Sequence, residues 1–442
     1  MFFRKITREL KKWKLQSNGK TALLIEGARR VGKSTVVEEF AKNEYRSYIL
    51  IDFAEAPLDI QELFSDTSNL DYIFLQLQLR YSVQLFERES LIIFDEVQLC
   101  PSARQAIKQL VKDGRYDYIE TGSLISIRKN IAHILIPSEE QRIQMRPMDY
   151  EEFLWAQGDE STFPLLEQTF TSETALGEQL NRKLMRDFRL YMLVGGMPQA
   201  VDAYLQTNNL QVVDETKRMI IDLYEEDFYK ISPSGVLSLL FDAIPAQLAK
   251  KSSRYHVSSV LSKRQASDIL EEIAELRESK TVLVAYHVDD PNVGMSSSID
   301  LEKFKLYMAD TGLFVSLAFK DSDFTENTIY EKLLSDKLPV NLGAVYENVV
   351  AQELVAHGHK LFYHTWVKDK ANRNYEIDFI TSAGKKICPI EVKSSGYKTH
   401  ASLDEFSKKF SSRIGKQFLV YTKDIKKDNS IICLPTYMSY FL

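Results

Sequence analysis

Nine consecutive residues, Gly27-Ala28-Arg29-Arg30-Val31-Gly32-Lys33-Ser34-Thr35, satisfy the spacing GxxxxGK[ST] at every defined position. Such a loop is suited to holding a chain of phosphates. Its glycines let backbone N–H groups face the anion closely, and the following helix presents the positive end of its dipole. At such a loop Lys33 is expected to bridge the β- and γ-phosphates and Ser34 to offer a hydroxyl to Mg2+. A second group, Asp95-Glu96, ends the apolar run LIIF. It places two carboxylates at the C-terminal end of a buried strand, where α/β sheets bind ligands. Asp95 is expected to hold Mg2+ through water, and Glu96 to orient or activate the attacking water. Thr121 and Ser123, in YDYIETGS, suit sensing of the γ-phosphate, with a helix N-cap as the other reading. Arg29, Arg30, Arg142 and Arg146 are the nearby cations, and sequence does not say which of them reaches a phosphate. ATP and Mg2+ are the ligands this set implies.

A third group lies near the C-terminus: Asp378 in YEIDFIT, with Glu391 and Lys393 in ICPIEVKSS. Strand side chains alternate, so Glu391 and Lys393 share a face. A hairpin with the turn Ala383–Lys386 sets Asp378 opposite Glu391, and Glu347 on the preceding helix approaches the same point. Carboxylates converging beside a lysine suit one or two Mg2+ ions that activate water at a phosphorus centre. Plain structural Glu–Lys and Asp–Lys bridges are the competing reading. His357 and His359 flank Gly358 at a helix end and read as a turn.

The elements that must position these groups follow from periodicity. TALLIEG, SYILIDF, LIIFDEV and YDYIETG read as strands. STVVEEFAK, LDYIFLQLQLRYSVQLFERE and SARQAIKQLVKD read as helices between them. Alternation of this kind predicts an α/β fold, a parallel sheet covered on both faces. Residues 1–150 form this domain and 151–240 a helical subdomain. Residues 241–320 supply three short helices and two strands around the turn-rich DDPNVGMSSS, a winged-helix pattern. Residues 321–340 read as a linker, and 341–442 as a separate α/β unit with the strands KLFYHTW, YEIDFIT, KICPIEVKS and QFLVYT.

Net charge is −6, but residues 341–442 carry 15 Lys+Arg against 10 Asp+Glu. A basic C-terminal segment on an acidic body permits DNA or RNA contact there, an ordinary solvated surface being the equal alternative. No apolar run is long enough to span a bilayer, so no membrane partner is expected. The basic N-terminus, MFFRKITRELKKWKL, reads as an amphipathic helix rather than a signal peptide. Cys100, Cys388 and Cys433 are far apart and form no CxxC pair, which argues against a disulfide framework or a zinc site and for a reduced, cytoplasmic setting.

Across nearly its whole length the chain resembles prokaryotic AAA-type P-loop ATPases that carry a C-terminal domain of unknown function related to restriction endonucleases. The resemblance rests on GARRVGKST, LIIFDEVQ, ETGSL, RPMDYEEFL, YMLVGGMPQAV, YMADTGLF, GAVYENVVAQEL and the pair YEIDFIT/PIEVKSS. It implies an ATPase core, a winged-helix middle and a nuclease-like C-terminal fold. By that likeness Glu347, Asp378, Glu391 and Lys393 match the acidic and lysine positions of a PD-(D/E)XK pattern, although Ile377, not proline, precedes Asp378. Two functions remain open on these grounds. One is an ATP-driven nucleic-acid enzyme with a nucleolytic C-terminal domain. The other is a nucleotide switch whose C-terminal domain is inactive and binds a partner. A homo-oligomer is compatible with either.

Overall fold

The computed structural model describes residues 1–122, 139–250, 252–321, 325, 327–335, 343–368, 374–395 and 399–442. Ser123 therefore lies outside the described residues. The chain divides into two compact units, Met1–Arg146 and Pro147–Leu442.

The first unit is built on a five-stranded sheet in the order β2-β3-β4-β1-β5, every pairing parallel. The strands are β1 (Ala22–Glu26), β2 (Ser47–Asp52), β3 (Ser90–Asp95), β4 (Asp117–Gly122) and β5 (Glu140–Gln144). Strand side chains alternate between faces. Ala22, Leu24, Ile92 and Phe94 therefore enter one apolar core with Ile73, Phe74 and Ile107 of the helices Leu70–Tyr81 and Pro101–Asp113. Leu23, Ile25, Leu91 and Ile93 enter the other, against Val36, Val37 and Phe40 of Lys33–Glu44 and Leu10 and Trp13 of Ile6–Ser17. Both faces are buried, which is why β1 and β3 read as unbroken apolar runs. β1 lies between β4 and β5 although its chain continues to β2 at the far edge. The strand order reverses beyond the C-terminal end of β1, where open α/β sheets leave a ligand crevice.

Two expectations need correction here. The four strands expected from periodicity end at β4; a fifth, β5, adds to the sheet and sets Arg142 opposite Leu24. β5 (EQRIQ) has an exposed or partly exposed polar pattern, so hydrophobic periodicity is blind to it. The helix read through residue 89 stops at Tyr81, because Ser82 adopts a left-handed conformation at φ 53°.

In the second unit the helices Tyr150–Ala156, Thr162–Ser172, Glu178–Val194, Pro198–Thr207 and Leu210–Ile231 come first. The hairpin β6 (Val282–Val288) and β7 (Ile299–Met308) follows after further short helices. β6 then pairs in parallel with β8 (Phe362–Val367), and β8 pairs with β9 (Asn374–Ile377), giving a sheet β7-β6-β8-β9. The strands expected in a middle module thus continue into the strands expected in a separate C-terminal one. Residues 321–340 were expected as a linker, yet they include the helix Asn327–Leu334, whose fully buried Tyr330 donates to Asp214 at 2.7 Å. The polar segment gave no sign of that partner because it lies more than a hundred residues away.

YEIDFIT is two strands, not one. β9 and β10 (Phe379–Ala383) meet at a bend on Asp378 and belong to different sheets. β10 pairs antiparallel with β11 (Lys386–Val392). β11 leads through β12 (Gln417–Tyr421) and β14 (Ile431–Pro435) to β13 (Lys426–Asp428). The VGG and ADTG segments also find a physical role. Asp310 accepts from the Gly196 and Leu313 N–H groups. A Cβ on Gly195 or Gly312 would collide with the other segment, so only glycine permits this approach.

Candidate nucleotide site and carboxylate cluster

In the first unit the loop leaves β1 and enters the helix Lys33–Glu44 through Gly32, at φ 97°. A side chain on Gly27 would strike the Met145 carbonyl. Ala28 and Val31 are buried, Arg29 is partly exposed, and Arg30 and Thr35 are exposed. Val31 packs into the apolar core. Lys33 is 6% exposed, and its Nζ donates to the Gly27 and Ala28 carbonyls at 3.0 Å each. The ammonium is thus already curled into the loop.

Ser34 donates to Asp95 Oδ1 at 2.8 Å, and the buried Thr121 hydroxyl donates to the same oxygen. Parallel register explains the convergence: β3 carries Asp95 to the sheet edge, and β4 sets Thr121 beside Ile25, two residues before the loop. Glu96 leaves the strand at φ 51° and is held by the Gln98 side-chain amide.

Three supports were not apparent from the sequence. Arg4, buried ahead of the first helix, donates to the Val31 carbonyl at 3.1 Å and also to the Arg146 carbonyl, joining both ends of the unit under the loop. Arg104, fully buried, pairs with Glu120 at 3.0 Å and with Glu140 at 2.8 Å. Burial, opposed by Arg104, raises the Glu120 pKa to about 8. Gln98 is the third, and its two-residue spacing from Glu96 is the one signal a sequence offers. Arg142 stays on the strand edge, paired with Glu140 at 2.7 Å.

The second unit gathers a different set. Asp378 lies one position beyond the Phe379–Ile390 pair, opposite Glu391 as expected from the hairpin. Its Oδ2 accepts from the Val392 N–H at 2.7 Å. Glu347 of the helix Gly343–Ala356 and Glu376 of β9 each offer a carboxylate oxygen within 4.8 Å of that of Asp378. Glu376 takes the place expected for Glu391. Alternation would put positions 376 and 378 on one face of an unbroken strand, but the strand breaks at Asp378, so the bend and not the pleat brings Glu376 in. Glu391 instead pairs with Lys393 at 2.5 Å, and its Oε2 is buried without a hydrogen-bond partner. Burial, helped by Glu347 and opposed by Lys305, raises the Asp378 pKa to about 8. Lys305 of β7 bonds Glu347 at 2.9 Å and also Glu376, and Tyr307 donates to Glu347. Neither residue was singled out from sequence.

His287, Asp289 and Asp300 form a second polar group. His287 Nε2 accepts from the Thr365 N–H at 3.2 Å. A neutral ring then carries its proton on Nδ1, facing Asp289 at 3.3 Å, so that nitrogen is a donor and not a metal ligand. His357 bonds the Tyr440 carbonyl through Nδ1, in keeping with a structural role.

Residues 19–154 match the family model of an AAA domain. Residues 185–323 and 342–437 match two domains of unknown function, DUF8612 and DUF4143. No curated protein matches the chain. Among solved structures, a Walker-type ATPase of Pyrococcus abyssi is 17% identical over 72% of this chain and 96% of its own, with a TM-score of 0.42. The Aeropyrum pernix ORC1 protein in complex with DNA is 11% identical, with 76% and 93% covered and a TM-score of 0.29. A signal-transduction ATPase with a tetratricopeptide-repeat sensor from Pyrococcus horikoshii is 13% identical, with 80% and 49% covered and a TM-score of 0.27. The first unit thus carries an AAA-type α/β P-loop domain, the kind that binds ATP. No helix among the described residues is long and apolar enough to cross a membrane.

Proposed function

We propose that the first unit binds ATP with Mg2+ and hydrolyses it, and that the carboxylate cluster of the second unit is a metal-dependent site acting on phosphodiesters of DNA or RNA. One observation carries the ATP half: the Ser34 and Thr121 hydroxyls converge on a single Asp95 oxygen beside the loop. This donor set fits an octahedral, oxygen-seeking cation. Ser34 and Asp95 would hold Mg2+, which supplies positive charge at the phosphate oxygens. Lys33 exchanges its two loop carbonyls for phosphate oxygens. Thr121 reads the terminal phosphate, and Glu96, released from Gln98, orients water and accepts its proton.

In the second unit Glu347, Glu376 and Asp378 fit a divalent ion, which would supply a polarised water and neutralise charge. Glu391 with Lys393 stands beside it, and the lysine steadies an anionic phosphate. Residues 241–320 serve a structural role, since their β6 and β7 belong to the sheet that carries Glu376 on β9. Their helix Leu270–Glu278 carries Glu271, Glu272, Glu275 and Glu278, with Asp268 in the turn before it, and phosphates would repel these acids.

The test is paired. ATP turnover is measured for wild type, Lys33→Ala and Glu96→Gln, with and without DNA and RNA. Nucleic-acid cleavage in Mg2+ or Mn2+ is measured for wild type and Asp378→Asn. Turnover unaffected by Glu96→Gln overturns the first half. Absence of any Asp378-dependent cleavage overturns the second. A second reading, the nucleotide switch with an inactive C-terminal site, is favoured by the engagement of Glu347 and Glu376 with Lys305. It predicts slow turnover, retained nucleotide and no cleavage.

A further inference from the structure

We propose that Lys305 is a built-in cation seated in the Glu347–Glu376–Asp378 cluster, so that a divalent ion enters only by displacing it. This rests on the reading of that cluster as a metal site.

The argument begins with strand alternation. Lys305 and Tyr307 are two residues apart on β7 and both reach Glu347 Oε1, the lysine at 2.9 Å. Lys305 also bonds Glu376 Oε1, and the residue is 5% exposed. These are two of the three carboxylates whose oxygens converge within 4.8 Å. An oxygen-bound Mg2+ or Mn2+ sits at about 2.0–2.2 Å from its ligands. An ammonium bonded to two of the same residues would stand next to that ion, and like charges at such a distance repel strongly in a buried setting. The two cations therefore compete.

A second observation points to a missing ligand. Glu391 is 6% exposed, one oxygen holds Lys393, and Oε2 is buried with no hydrogen-bond partner. An orphaned carboxylate oxygen beside the cluster is costly unless something cationic or protic meets it in another state. In this seat the Lys305 Nζ also lies 5.5 Å from the Tyr363 ring centroid, a cation–π distance that adds to the hold on the ammonium. Because Lys305 rides on β7, the metal affinity of the cluster becomes a property of where the β6–β7 hairpin sits.

The experiment titrates Mn2+ into the nucleotide-free full-length protein by calorimetry, with Asp378→Asn subtracting ions bound elsewhere, including at Asp95. Wild type is expected to bind weakly, and Lys305→Met to bind about tenfold tighter or better. Lys305→Gln is the second neutral variant, and circular dichroism checks that each is folded. On the wild type itself, acetic anhydride labelling read by mass spectrometry should show Lys305 protected without Mn2+ and modified at saturating Mn2+. Asp378-dependent binding equally tight in wild type and both variants sinks the Lys305 proposal but leaves the metal site standing, as does labelling unchanged at saturation. No Asp378-dependent binding in any folded form overturns both. If neither variant folds, the wild-type labelling decides.

Discussion

The two sites use lysine and carboxylate in opposite ways, and the contrast explains their different dependence on the fold. At the nucleotide site, Lys33 rests on backbone carbonyls of its own loop, and Asp95 holds two neutral hydroxyls. The two hydroxyls on Asp95 are neutral partners that a cation can replace, and the two carbonyls on Lys33 are partners that phosphate oxygens can replace. In the carboxylate cluster, Lys305 and Lys393 are bound to ionisable acids, Glu347 with Glu376 and Glu391 respectively. Those charges are already matched, and any ligand must compete with them. A cluster of acids and lysines is thus poised for chemistry only to the extent that its internal pairs open.

The largest expected effect tests the structural support of the open site. Arg104→Met strips the buried Glu120 of its counter-charge and leaves Glu140 with Arg142 alone, and is expected to cost about 3–5 kcal/mol in urea unfolding. A loss below about 1 kcal/mol would falsify the claim that this triad underpins the sheet. Next, Glu96→Gln should lower kcat about 1000-fold while retaining ATP affinity, measured by turnover alongside fluorescent-nucleotide binding. Lys33→Ala should weaken ATP binding about 100-fold by removing a charge-assisted contact to phosphate; unchanged affinity would remove the loop from the mechanism.

The smallest prediction concerns pH. His364 of β8 stacks on His287 and bonds the Val288 carbonyl, and burial lowers its pKa to about 4. Because the folded pKa lies below the unfolded one, the unfolded chain binds more protons between about 4 and 6.5. Stability is therefore full above pH 6.5 and falls as pH drops towards 4, by about 3 kcal/mol from this group. His364→Gln should flatten that slope in denaturation midpoints measured across the window. An unchanged slope would show that the ring is not held neutral.

Much of the nucleotide site was legible because its parts are local. The loop is nine consecutive residues, and Asp95-Glu96 follow an apolar strand that reads itself. What the sequence did not reveal there, Arg4 under Val31 and Arg104 between Glu120 and Glu140, are ion and hydrogen-bond partners brought in from other elements. The polar β5 escaped for a related reason, since its place beside β1 is set by backbone pairing and not by side-chain pattern.

The cluster in the second unit was only half legible. Alternation and hairpin register placed Asp378 opposite Glu391, and that part needs only the two-residue period of a strand. The third carboxylate and the resident cation were different matters. Glu376 turns in because the chain bends at Asp378 and splits YEIDFIT between two sheets. Lys305 arrives from β7, some forty to seventy residues earlier in the chain than its acidic partners.

By itself, then, the sequence determined the phosphate loop, the acidic pair at the end of β3, the alternating layers of the first unit and the register of one hairpin. All of these depend on short-range spacing and on where apolar side chains recur. Only the tertiary structure decided which charges meet. Coulombic and hydrogen-bonded pairing falls off over a few ångströms, and distances of that size between remote residues exist only once the chain has folded.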